Sequence, residues 1–211
     1  TQPLPKEKLK FAATGYYMDG HEVPNKFHVY PEQAAAGLWM TPSDLCQYII
    51  ETQLAYEGKS AKVLNQEMTK LRLQPYLDES SALGVFIENR DGVKYFQHGA
   101  GNEGFRGQYY GSLKGGNGVA VFVNSDNGTI LFEVINSVAE VYKWKNFYFP
   151  EVKNEITVPE VLLKTYEGIY LFEDKYAIVL PKQDGYYLLT DGVYSKMHFT
   201  TEKDFFNEEF L

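Results

Sequence analysis

The chain has 211 residues, 44% hydrophobic and 23% charged, with a formal charge of −8. That length holds one domain or two small ones, and the composition excludes wholesale disorder. An acidic balance without any basic run excludes nucleic acid as a partner and argues against anionic membrane surfaces. The single cysteine, Cys46, excludes an internal disulfide and paired-cysteine zinc sites, and no apolar run reaches the ~20 residues that span a bilayer.

Residues 1–37 are punctuated by Gly15, Gly20, Pro24, Pro31 and Gly37 and hold no period. So long an irregular stretch is expected only where it is functional or packs on another part. Thr41-Pro42-Ser43-Asp44 opens a helix, with Thr41 as N-cap, Pro42 in the first turn and Asp44 near the positive helix end. Leu45, Tyr48, Ile49 and Leu54 give it an apolar stripe to about Tyr56. Ser60 is expected to cap a second helix with Leu64, Met68 and Leu71 on one face.

The period then changes. Leu83–Asn89 and Val93–His98 read as strands joined at Asp91-Gly92, a strong two-residue hairpin signal. Gly107–Leu113 and Gly118–Asn124 read as a second hairpin. The run Val119-Ala120-Val121-Phe122-Val123 is apolar throughout, which predicts a central strand covered on both faces. A long amphipathic helix follows over Ile130–Lys145. Residues 146–158 read as a linker, and strands are expected near 169–173, 176–181, 185–190 and 194–199, a β-meander. The aromatic share, 16%, suits half-buried β surfaces, with a carbohydrate- or peptide-binding face as the sharper alternative.

The densest candidate for chemistry is Gln97-His98-Gly99-Ala100-Gly101-Asn102-Glu103-Gly104-Phe105, with three glycines at a strand end. Glycine there lets backbone approach a ligand closely; on spacing alone the pattern reads first as a tight strand exit beside a bystander histidine. The four histidines, 21, 28, 98 and 198, show no metal spacing, so no metal and no cofactor are expected.

Three segments together, Ala13-Thr14-Gly15-Tyr16, Ala34–Leu45 (AAAGLWMTPSDL) and His98-Gly-Ala-Gly-Asn-Glu-Gly-Phe105, resemble the later part of the class C β-lactamase and penicillin-binding-protein-like serine hydrolases. The resemblance covers residues 11–145. It implies an α+β fold, an antiparallel sheet with packed helices, followed by a small all-β meander or barrel-like domain. The implied division is a partial hydrolase domain over 1–145, a linker over 146–158 and a small β domain over 159–211, with both ends cut. In the family a serine of S-x-x-K is acylated, a tyrosine of Y-x-N moves the proton, and a K-T-G or H-x-G strand lines the site. None of the eight serines here has Lys three residues on, and none of the 17 tyrosines has Asn two residues on.

His98 matches the first position of the third motif, and Ala100 stands where the family has glycine. The resemblance implies His98 and Gly101 as catalytic, Gly101 through an oxyanion-binding amide, and Asn102, Gly104 and Phe105 as substrate-binding. It implies a small-molecule or peptide acyl substrate (a β-lactam, a D-amino-acid peptide or an ester) and a periplasmic, cell-surface or secreted location. The partner is expected to be a second copy or the missing N-terminal part. Two other readings stand beside it: a β-lactamase-like binding module without chemistry, and a structural role for the aromatic β domain.

Overall fold

A computed structural model describes residues 3–150, 152–172 and 175–207. The expected strand position 173 and the terminal Phe210 and Leu211 lie outside the described residues. The chain divides into two units, one up to Phe149 and one from Pro150.

In the first unit, short turns and the four-residue helix α1 (Gln33–Ala36) precede helix α2 (Pro42–Tyr56) and helix α3 (Gln66–Arg72). Five strands follow, β1 (Ser81–Ala82), β2 (Val85–Arg90), β3 (Val93–Asn102), β4 (Phe105–Ser112) and β5 (Gly118–Val123), and then helix α4 (Ile130–Val141). The strands form one antiparallel sheet in the order β1-β2-β3-β4-β5.

Helix α2 begins where the sequence predicts. The Asp44 amide donates to Thr41 Oγ1 at 3.2 Å and the Thr41 amide donates to Asp44 Oδ2 at 2.9 Å, a reciprocal cap. These bonds hold the Asp44 carboxyl below its ordinary pKa. Ile49 seats on the sheet because Gly111 and Gly118 carry no side chain: a Cβ on either would lie 2.8 Å from Ile49 Cγ2. Gln53, buried, donates to the carbonyls of Ser112 and Asn117 at 3.0 and 2.7 Å and ties the helix to the β4–β5 turn.

Helix α3 departs from expectation. Asn65, not Ser60, caps it, its side chain accepting from the Met68 amide at 2.9 Å, while Ser60 donates to the Glu51 carboxylate. Met68 and Leu71 face outward and Thr69 and Leu73 are buried instead, so the expected apolar stripe is rotated by one residue.

One core lies between α2, α3 and the sheet, around Ile49, Leu73, Val85, Ile87, Phe96 and Tyr109. A second lies on the other face, where Ile135 and Ala139 of α4 meet Tyr95, Tyr110, Trp144 and Phe147. Successive residues of β3, Tyr95 and Phe96, thus supply opposite cores, as the strand pleat requires. Helix α4 stops at Val141 rather than Lys145, and Lys143 at φ 55° turns the chain so that Trp144 stacks on Tyr95 at 6.0 Å. Strand β5 is the edge of the described sheet, not its centre, and only Val119 of its apolar run is buried.

The second unit holds helix α5 (Glu160–Leu163) and a four-stranded antiparallel meander, β6 (Gly168–Phe172), β7 (Lys175–Lys182), β8 (Gly185–Thr190) and β9 (Val193–Lys196). Strands β10 (His198–Phe199) and β11 (Phe205–Phe206) form a separate pair. Val179 and Tyr186 pack with Val158, Met197 and Phe199 to make its core. Asp191-Gly192 closes β8 to β9 with φ of 49° and 81°, the double positive φ of a type I′ hairpin.

Candidate functional site

The candidate segment is strand throughout. Strand β3 runs through His98-Gly99-Ala100-Gly101-Asn102, and only Glu103-Gly104 make the turn. It pairs with β4 along this whole length, but with β2 only as far as Gln97. From His98 to Gly101 every residue is exposed, and the edge of β3 away from β4 carries no ladder partner among the described residues.

The direction of each amide follows from the register. In an antiparallel ladder, residues alternate between those whose N–H and C=O face one neighbour and those facing the other. The two-residue turn makes Asn102 and Phe105 a hydrogen-bonded pair, and at the far end the Leu113 amide donates to the Lys94 carbonyl at 2.8 Å. The residues of even number from Lys94 to Asn102 therefore face β4. Gly99 and Gly101 send their N–H and C=O outward, to the open edge. Two successive outward N–H groups with no side chain beside them can receive a developing negative charge.

His98 lies at the start of this edge. Its ring sits 5.6 Å from that of Phe86, tilted by 31°, and its Nδ1 meets the Gly99 carbonyl. Asn102 is partly withdrawn: its Nδ2 donates to the Ala36 carbonyl at 3.1 Å. Gly104, at φ 76°, is buried in the hairpin tip, where a Cβ would lie 2.5 Å from Val23 and 2.8 Å from Gly15 Cα. Phe105 packs on Gly15 and meets Trp39 edge-on at 5.9 Å. The structure thus brings His98 and Gly101 to one exposed edge and sets Gly104 and Phe105 in the packing that holds its end.

The irregular first segment is what that end packs on. Tyr30 Oη accepts from the Glu103 amide at 3.0 Å, and His28 Nε2 meets Glu103 Oε2 at 2.7 Å. Tyr17 Oη lies 3.3 Å from the same His28 nitrogen, and burial, then the Glu103 and Asp126 carboxylates, push its phenol above its ordinary pKa. Arg106 and Asp126 complete the tip with an ion pair at 2.7 Å. Spacing gave no sign of Tyr30 or Asp126, because they lie 73 and 22 residues from the turn residues they bond.

Among the described residues no three His, Cys, Asp or Glu side chains gather as metal ligands, and no helix is long and apolar enough to cross a membrane.

No family model matches the chain, and no curated protein matches it. The octameric penicillin-binding protein homologue from Pyrococcus abyssi shares its fold, with a TM-score of 0.56 and 20% identity over 96% of this chain and 48% of that one. Two structures of SurE, the second with D-Leu, align over 79% and 74% of this chain and 40% and 39% of theirs. Their TM-scores are 0.43 and 0.39, at 15% and 13% identity. The chain spans about half the length of the penicillin-binding protein homologue. The fold is α+β and penicillin-binding-protein-like.

Proposed function

We propose that this chain forms the oxyanion-binding wall of an acyl-transfer site of the class C β-lactamase and penicillin-binding-protein type. The nucleophilic serine lies outside these 211 residues, since no serine here stands in S-x-x-K. In this reading the serine oxygen attacks the carbonyl carbon of a β-lactam, D-amino-acid peptide or ester. Its proton passes to a neighbouring base, and the carbonyl oxygen becomes an oxyanion. The outward N–H of Gly101 donates to that oxygen, and the leaving group departs with a proton to give the acyl-serine. Fixed amide dipoles aimed where charge develops stabilise the transition state without reorganising. His98 binds the substrate's carboxylate or carries its proton, and Asn102 and Phe105 shape the rim with Gly104 at the turn.

The observation that carries the reading is the open edge from His98 to Gly101, exposed and unpaired on the side where Gly99 and Gly101 point their amides. The test is covalent labelling with a fluorophosphonate and a fluorescent penicillin. The full-length gene product should form an adduct on a serine outside this sequence, and the purified 211-residue chain should form none. Stoichiometric labelling of any serine within the chain contradicts the reading, and a full-length product that never labels leaves a recognition groove without chemistry.

A further inference from the structure

The β3–β4 turn is an unfavoured one. Two-residue hairpins prefer types I′ and II′, whose twist matches the strands and which need positive φ at the first turn position. Asp91-Gly92 and Asp191-Gly192 meet that demand with positive φ at both positions. In Glu103-Gly104 only the second residue, Gly104, has positive φ. Such a turn splays its strands unless something outside it holds them. The strand end that would splay is the one carrying Gly101.

Arg106 and Asp126 supply the hold. Arg106 Nη1 donates to the carbonyls of Asn102 and, at 2.8 Å, Phe105, the two residues that flank the turn. Its Nη2 pairs with Asp126 Oδ1 at 2.7 Å, and the same oxygen accepts from the Gly104 amide at 3.0 Å. The Asp126 side chain is only 15% exposed and its amide donates to the Tyr16 carbonyl at 2.8 Å, so the anchor is fixed in turn. The Arg106 stem lies against Gly128, and its guanidinium passes within 3.7 Å of where a Cβ on Gly101 would sit. A planar fork that reaches two carbonyls and a carboxylate together cannot be replaced by a lysine point charge.

We infer that Arg106 and Asp126 are positioning residues of the site: they clip the β3–β4 turn and so fix the aim of the outward Gly101 amide. The inference rests on the role proposed above for that amide.

Amide ¹⁵N relaxation on the 211-residue chain tests it. The wild type should show a rigid Gly101 amide, with an order parameter of about 0.85. Arg106→Met should lower it below about 0.6 from Gly101 to Gly104 and leave Tyr95 and Phe96 rigid. Asp126→Asn keeps an acceptor for the Gly104 amide but loses the charge; it should lower the same amides less, and it carries the test if the methionine variant does not fold. In the full-length product both variants should reduce kcat about 10- to 100-fold with KM unchanged, the signature of lost alignment. Unchanged order at Gly101 in the folded variants overturns the clip, whatever the kinetics. A wild-type full-length product that forms no acyl adduct overturns the acyl-transfer reading instead and leaves the relaxation result to decide the clip.

Discussion

At the scale of the residue, adjacent positions on β3 have opposite duties. The Ala100 N–H faces β4 and belongs to the ladder, whereas the Gly101 N–H faces the open edge. Proline removes one N–H and is tolerated where that N–H is not bonded within the sheet. Gly101→Pro should therefore unfold within about 1 kcal/mol of the wild type, and Ala100→Pro should lose about 1–3 kcal/mol, because it leaves the carbonyl of the buried Gly107 without its donor. Urea denaturation of the purified chain measures both, and equal losses would show that the alternation is assigned wrongly. The sequence could point to His98 and Gly101 only through the resemblance. Spacing alone read the glycines as a strand exit, because glycine is poor in strands and the pairing that keeps them extended comes from β4, not from the local sequence.

At the scale of the element, what was legible is what local chemistry decides. The Thr41–Asp44 cap and the Asp91-Gly92 turn stand where their residues place them. Helix α3 was misplaced because Ser60 found a stronger local partner in the Glu51 carboxylate, which left Asn65 to cap. The register of α2 on the sheet depends on glycines at 111 and 118, which no helix periodicity reveals.

The sheet also sets a pH limit. Burial pushes the phenols of Tyr95, Tyr109 and Tyr110 above the ordinary 10.0, and Tyr48 adds to the rise at Tyr109. The unfolded chain ionises near 10, so above that pH it binds fewer protons than the folded chain and stability falls. The urea midpoint followed by Trp39 and Trp144 fluorescence should be flat from about pH 7 to 9 and should drop above about pH 10. Tyr109→Phe should make that drop shallower, and a midpoint that does not move at high pH would contradict the burial.

At the scale of the whole molecule, the sheet of the first unit ends on an apolar edge strand. The run 119–123 predicted a central strand covered on both faces; Ala120 does face the α2 core and Val119 and Val121 the α4 core, but β5 has a strand neighbour, β4, on one side only. Its neighbour α4 presents Ile130, Phe132 and Val141 to solvent. Uncapped apolar edges recruit other strands. The purified chain should accordingly self-associate, seen as a mass above 24.2 kDa by light scattering and, in hydrogen exchange, as protected amides at 118, 120 and 122, which face away from β4. A strict monomer with those amides fast would show that the edge is tolerated.

The fold and the open edge meet in one claim, that the outward Gly101 amide serves acyl transfer. The most direct measurement is the acylation rate of the full-length gene product by a fluorescent penicillin or fluorophosphonate, comparing wild type with Gly101→Pro. Loss of one oxyanion donor lowers such rates by about 10²- to 10³-fold. A fall of that size is expected with the stability within about 1 kcal/mol of the wild type, and an equal rate in the folded variant would contradict the role of the Gly101 amide.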